Sequence, residues 1–113
     1  MLHLRDLHCF TLVYESRSFS RAADNLDTVQ SMVSTRIQRL ESFVGGPLFV
    51  RLHRGVVSTE KGEVLYQHAK RVLRDVAELE SALRGEPGRA QRTEAKRALR
   101  DMADLGDALG GDA

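Results

Sequence analysis

The sequence predicts a small, mainly α-helical fold: three short helices, a two-stranded hairpin, one long helix and a further short helix at the C-terminus. Three observations carry this. The chain has 113 residues, of which 42% are hydrophobic but only 5% aromatic with no Trp, a composition that suits a compact helical domain better than a sandwich or barrel. Apolar residues recur at steps of three and four through both Leu4–Ser16 and Val29–Val44. From Leu65 to Leu83 the same spacing hardens into a heptad seam.

The elements follow in order. Leu4, Leu7, Phe10, Val13 and Tyr14 form one stripe of a first helix. "SRSFS" interrupts it, because small hydroxyl side chains compete for backbone hydrogen bonds and favour helix caps. "SRAADNL" supplies a short second helix whose alanines allow close approach, and "DT" breaks it. Thr28 is expected to cap a third helix in which Val29, Val33, Ile37, Leu40 and Val44 point inward, and "GGP" at Gly45–Pro47 stops it. Three helices in so short a stretch, the second joined tightly to the third, read as a helix-turn-helix.

In "LFVRLHRGVVST" apolar and polar residues alternate, a glycine intervenes and "VVS" returns, which predicts a β-hairpin wing with its tip near His53–Gly55. Thr59 is a fitting N-cap, with Glu60 in the first turn, where the helix dipole favours an anion. Leu65, Ala69, Val72, Val76, Leu79 and Leu83 then recur at steps of 4, 3, 4, 3 and 4. A helix from Thr59 to Arg84 is roughly 39 Å long at 1.5 Å per residue. A head of this size cannot cover a stripe of that length, so the seam predicts a second copy of the chain. "GEPG" at Gly85–Gly88 ends the helix. Beyond it, "AKRALRDMADLGDALGG" (Ala95–Gly111) repeats "AKRVLRDVAELESALRG" (Ala69–Gly85) with 11 of 17 positions identical. Gly106 weakens this second copy as a helix. The expected organisation is a winged helix-turn-helix domain over residues 1–58, a linker and dimerisation helix over 59–85 and a tail over 86–113.

The third helix has an unusual outer face. In "DTVQSMVSTRIQRLE" it carries Gln30, Ser31, Ser34, Thr35, Arg36 and Arg39 in place of the usual Glu/Lys mixture. Gln pairs with adenine, Arg with guanine, Ser or Thr with base or phosphate, and Met32 can meet a thymine methyl. The N-terminal residues of such a helix reach base edges, so Gln30, Ser31, Met32 and Ser34 are the expected readers. Thr35, Arg36 and Arg39 lie further along, at positions suited to phosphates. In the wing, Arg51, His53 and Arg54 surround the glycine turn and suit a narrow minor groove. The plainer alternatives are a solvated helix face and an ordinary polar hairpin tip.

Charge distribution agrees with a nucleic-acid partner in the first half. From Val29 to Val57 there are four arginines against Glu41, a balance of +3, although the whole chain carries only +1. From Glu86 onward five basic residues face six acidic ones. Cys9 is the only cysteine, which excludes an intrachain disulfide and suits a reducing compartment. No apolar run approaches a membrane span, so the expectation is a cytoplasmic, nucleoid-associated protein. His3, His8 and Cys9 lack metal-ligand spacing. No phosphate loop, GxSxG elbow or carboxylate pair points to an enzyme, and no cofactor is expected.

From Leu2 to about Leu83 the chain resembles the amino-terminal DNA-binding domain of LysR-type transcriptional regulators. The resemblance rests on "LRDLHCFTLVYESRSFSRAADNL", "VQSMVSTRIQRLE", "PLFVR", "RGVVST", "KGEVL" and "AKRVL" in that order. It implies a winged helix-turn-helix, a linker helix that dimerises antiparallel and double-stranded DNA as partner. Base-proximal family positions correspond to Gln30, Ser31 and Ser34; backbone and wing positions correspond to Thr35, Arg36, Arg39, Arg51 and Arg54. The chain departs from the family at Val29, where Ser or Thr is usual, and at Met32, where a smaller residue or Asn is usual. Family members continue into an effector-binding domain, whereas this sequence closes on a second copy of its own helix. The expected function is therefore a dimeric, sequence-specific regulator without its own ligand sensor, acting as a repressor or competitor. The alternative is an interaction protein that pairs with a full-length relative and antagonises it.

Overall fold

The structure is a computed structural model that describes residues 1–85; the predicted C-terminal helix and repeat lie outside the described residues. The described residues fall into two units, Met1–Leu73 and a second that begins at Arg74. The element order is α1 (Leu4–Ser16), α2 (Phe19–Asn25), α3 (Gln30–Val44), β1 (Phe49–Arg51), β2 (Val56–Ser58) and α4 (Glu60–Arg84). This is a mainly α winged helix-turn-helix. Among the described residues no helix is long and apolar enough to cross a membrane.

α1 is the most enclosed element. Leu7, Phe10 and Val13 are buried on its predicted stripe, and Asp6, Cys9 and Thr11 are buried beside it. Leu4, at the start of the stripe, is 46% exposed because it opens the helix before the other elements reach it. The buried Thr11 hydroxyl donates to the His8 carbonyl at 2.8 Å, so its polarity is satisfied within the helix. α2 begins where Ser18 accepts from the Arg21 amide at 3.1 Å. It buries Phe19, Ala22 and Ala23, the alanines supplying the close approach read from the sequence.

The turn between α2 and α3 corrects two expectations. The Thr28 amide donates to the Ala23 carbonyl at 2.9 Å, which commits Thr28 to closing α2. Asp27 stands at φ 54°, a left-handed conformation that Asp tolerates better than most residues. Val29 is consequently the N-cap of α3, with no side-chain cap bond, and is 64% exposed. Thr28 therefore does not cap this helix and Val29 does not face the core. Val33, Ile37 and Leu40 do, and Val44 packs partly against it. α3 ends as expected: Gly45 takes φ 80° and its amide returns to the Glu41 carbonyl at 2.9 Å.

The wing pairs antiparallel, Phe49 with Ser58, Val50 with Val57 and Arg51 with Val56. The Leu52 amide meets the Gly55 carbonyl at 3.0 Å, which puts His53 and Arg54 at the tip. The hairpin is fastened to the α1–α2 corner, since the Val56 amide donates to the Arg17 carbonyl at 3.1 Å. A Cβ on Gly55, itself at φ 75°, would lie 2.6 Å from that carbonyl oxygen, so only glycine passes here.

α4 starts as predicted, the Thr59 hydroxyl accepting from the Gly62 amide at 3.0 Å. Its first turns are packed within the chain. Gly62 and Ala69 are buried, and Leu65, Tyr66 and Leu73 pack against the core. Tyr14 and Tyr66 stack with ring centroids 3.6 Å apart. Each also donates to a carboxylate on the other helix: Tyr14 to Glu63 at 2.8 Å and Tyr66 to Glu15 at 2.6 Å. Two predicted seam residues, Leu65 and Ala69, thus belong to the head's own packing. Val72, Leu79 and Leu83 are 40%, 58% and 79% exposed, and Val76 is half-buried.

Candidate nucleic-acid interface

α2 and the turn after it aim α3 so that Val33, Ile37 and Leu40 face α1, leaving the opposite side of α3 to solvent. Gln30, Ser31, Met32, Thr35 and Arg39 are exposed there, and Ser34 and Arg36 are half-buried. The short hairpin stands beside this face. Ser34 and Arg51 line one concavity with Phe19, Gln38 and Phe49. Gln30, Arg51 and His53 line another, of about 270 Å³, with Ser18, Phe19 and Ser20. Polar side chains of α3 and cations of the wing, 21 residues apart in sequence for Gln30 and Arg51, thereby share one surface.

Several of these side chains are held. Arg51 lays its guanidinium over the Phe19 ring, 4.6 Å from the centroid, a cation–π contact that steadies a long side chain at the groove edge. The Ser20 hydroxyl donates to Gln30 Oε1 at 3.0 Å. The Thr35 hydroxyl donates to the Ser31 carbonyl at 2.9 Å, so its oxygen remains as an acceptor. Arg39 pairs with the buried Asp6 carboxylate at 3.6 Å while half its side chain stays in water. Arg36 and Arg39 share with Met32 a third concavity, lined also by Met1–Asp6. Arg54 is exposed at the wing tip.

Cys9 lies in the core behind this face. Burial pushes its thiol up to about 11, with Arg36 opposing and Asp6 reinforcing the rise, so it stays a neutral packing group. Among the described residues no cluster of His, Cys, Asp and Glu could hold a metal ion.

A surface of amide, hydroxyl and guanidinium groups on the second helix of a helix-turn-helix, flanked by a basic wing, has known counterparts. The bacterial regulatory helix-turn-helix protein, lysR family, matches residues 4–63, more than half of the chain. The chain belongs to the LysR family. These residues form its DNA-binding, transcription-regulating domain, and the family's relatives are regulators rather than enzymes. The LysR-family sequence is 47% identical over 68 residues to the HTH-type transcriptional regulator DgdR of Burkholderia cepacia, a match covering 60% of this chain and 23% of DgdR. It is 47% identical over 72 residues to the regulator BudR of Klebsiella aerogenes, covering 64% of this chain and 50% of BudR. The matched region thus spans from 23% to 50% of these relatives' length. Among solved structures, the BenM DNA-binding domain in complex with catB site 1 DNA superposes with a TM-score of 0.70 at 37% identity, covering 74% of this chain and 92% of that one. The CbnR DNA-binding domain–DNA complex also gives 0.70, at 28% identity, covering 74% and 97%.

Sequence reasoning about this LysR-family domain overlooked Asp6, Phe19 and Ser20. Each acts by holding a residue already singled out, and each sits on a different element from the residue it holds. Only Phe19 had a signal, as a lone aromatic among hydroxyl residues.

Proposed function

We propose that this domain binds double-stranded DNA sequence-specifically, with α3 in the major groove and the wing tip on an adjacent minor groove or its backbone. Gln30, Ser31, Met32 and Ser34 meet base edges; Arg36 and Arg39 neutralise phosphates; Arg51, His53 and Arg54 engage the flanking groove. Thr35, its hydroxyl proton already committed to Ser31, serves as packing along the backbone. The observation that carries this reading is that Gln30, Arg51 and His53 meet around one concavity although they come from different elements. The domain works as a homodimer through the later part of the α4 stripe, the exposed Val72, Leu79 and Leu83 with the half-buried Val76 between them, so that residues 1–58 read DNA and 59–85 couple two readers. Occupancy of a site by these residues acts by exclusion, as a repressor or a competitor of other regulators, on the chromosome in the cytoplasm.

The same exposed stripe supports a second reading: pairing with a longer relative whose linker helix presents a similar seam, which would remove that relative from its sites. A mobility-shift titration with the purified protein alone, against DNA selected from a random pool at physiological salt, separates the two. Specific retardation is expected. Its absence, together with co-purification of a longer regulator, would favour the second reading. Gln30→Ala should relax preference at one position, a loss of about 1–3 kcal/mol of discrimination. Arg39→Ala should weaken binding to all sequences alike and lower the salt slope by about one unit. A reversed outcome for the pair would exchange reader and holder.

A further inference from the structure

We infer that the start of α1 is a second phosphate grip, with Arg5 contacting DNA on the side of α3 away from the wing; this rests on the proposed seating of α3 in the major groove. α3 stands between concavities on its two sides. Gln30, Ser34 and Gln38, about one turn apart, line those it shares with the wing. Met32, Arg36 and Arg39 line the one it shares with the start of α1, a larger space of about 650 Å³. At 3.6 residues per turn, Ser31 and Thr35 fall on the ridge between the two sides. A ridge inserted into the major groove has a sugar–phosphate strand on either flank, because two strands bound that groove. The wing cations serve one flank.

The other flank has its own. Arg5 from α1 meets Arg36 and Arg39 from α3 around the larger concavity. Arg5 is exposed, and among the described residues neither Arg5 nor Arg36 makes an ion pair or a side-chain hydrogen bond. The one acid lining the space, Asp6, is buried and paired with Arg39 at 3.6 Å. That pair ties α1 to α3 and so holds the arginines of the two helices beside each other. Three arginines against one aspartate leave the cluster cationic. A phosphodiester strand presents one negative charge per nucleotide, and a guanidinium holds such oxygens with paired N–H donors. Arg5 thus extends the interface beyond the helix-turn-helix and the wing. Contacts of this kind fix position on the duplex and carry no sequence preference.

Phosphate-ethylation interference on the DNA that the protein selects, together with salt titrations of affinity, tests this. The unaltered protein should show interfering phosphates on both strands that flank α3. Arg5→Ala should lose one of them, on the strand away from the wing, and lower the slope of log affinity against log salt by about one unit. At about 0.15 M salt that is an affinity loss of about fivefold. Arg5→Lys keeps the charge and should keep the slope, and neither variant should change the selected sequence. Arg74→Ala removes a cation of α4 that lies outside the cluster and should leave the interference pattern intact, which separates a contact from a change in net charge. The inference is overturned if Arg5→Ala retains every interfering phosphate, or if it weakens binding no more than Arg74→Ala does. Gln30→Ala tests the seating by itself: if it changes no base preference, the seating of α3 fails, whatever Arg5 does. Melting and helical content of Arg5→Ala should match those of the unaltered protein, since the side chain is exposed.

Discussion

The two stretches of α4 on either side of Leu73 have one amphipathic pattern and different uses for it. In the first, Gly62 runs against the Leu48 backbone, where an added Cβ would collide with the carbonyl oxygen. Ala69 is buried, and Tyr66 and Lys70 both engage Glu15 on α1, at 2.6 and 3.1 Å. In the second, Leu79 and Leu83 are 58% and 79% exposed, and an ion pair from Arg84 to Glu80 at 3.6 Å follows the helix's own surface. A regular heptad therefore does not define one interface. Small residues in the first part let the helix press onto α1 and the wing base; leucines in the second part keep their apolar area for something else. Burial of such side chains contributes about 1.5–3 kcal/mol each, enough for a few of them to hold a dimer.

The sharpest way to break this contrast is a charge in the second stretch. Leu79→Asp should weaken the proposed dimer by about 3 kcal/mol or more, over a hundredfold in Kd, because a carboxylate would be buried without a partner. Sedimentation should show monomer while the circular dichroism of the head is retained. An unchanged dimer would move the interface off this stripe.

Gly62→Ala probes the first stretch and should do the reverse. The new methyl meets a backbone oxygen that cannot swing aside, so we expect a loss of about 1–3 kcal/mol in folding stability by denaturant titration. Gly55→Ala, which meets the Arg17 carbonyl at a positive φ, should cost a similar or smaller amount and impair DNA binding through the wing. If Gly62→Ala melted with the native midpoint, α4 would not be clamped where the structure has it.

The smallest effects come from titrating the tyrosine–carboxylate pairs. Tyr66 first, then Lys70, holds Glu15 below its ordinary value of 4.5, and Ser58 with Tyr14 does the same for Glu63. Below the unfolded value the unfolded chain binds more protons than the folded one. The contribution of these pairs is therefore complete above about pH 4.5 and lost as pH falls through the lower folded values. At the alkaline end the hydrogen bond to Glu15 raises Tyr66 from 10.0 to about 12. There the contribution is complete below pH 10 and lost as pH rises through about 12. Tyr66→Phe should flatten the alkaline limb of a stability–pH curve and also weaken the part of the acid limb due to Glu15, since one bond holds both shifts. An unaltered alkaline limb would mean the bond is not formed in solution.

The local parts of this molecule were legible from residue order. The apolar stripes of α1 and α3, the glycine stop at Gly45, the Thr59 cap and the hairpin tip depend on near neighbours along the chain, and they stand where periodicity and turn chemistry put them. So did the side chains proposed to face DNA, because an outer helix face poor in Glu and Lys is visible in composition alone. What only the tertiary structure decided is which residues meet across elements. Ser20 reaches Gln30 ten positions away, Tyr66 reaches Glu15 51 positions away, and Asp6 lies under Arg39. The same holds for Val29, turned out to solvent by the closure of α2, and for Leu65 and Ala69, drawn into the head while Leu79 is left exposed. Periodicity records that a position is apolar or polar. It does not record the angle at which one helix crosses another, and that angle selects the partner.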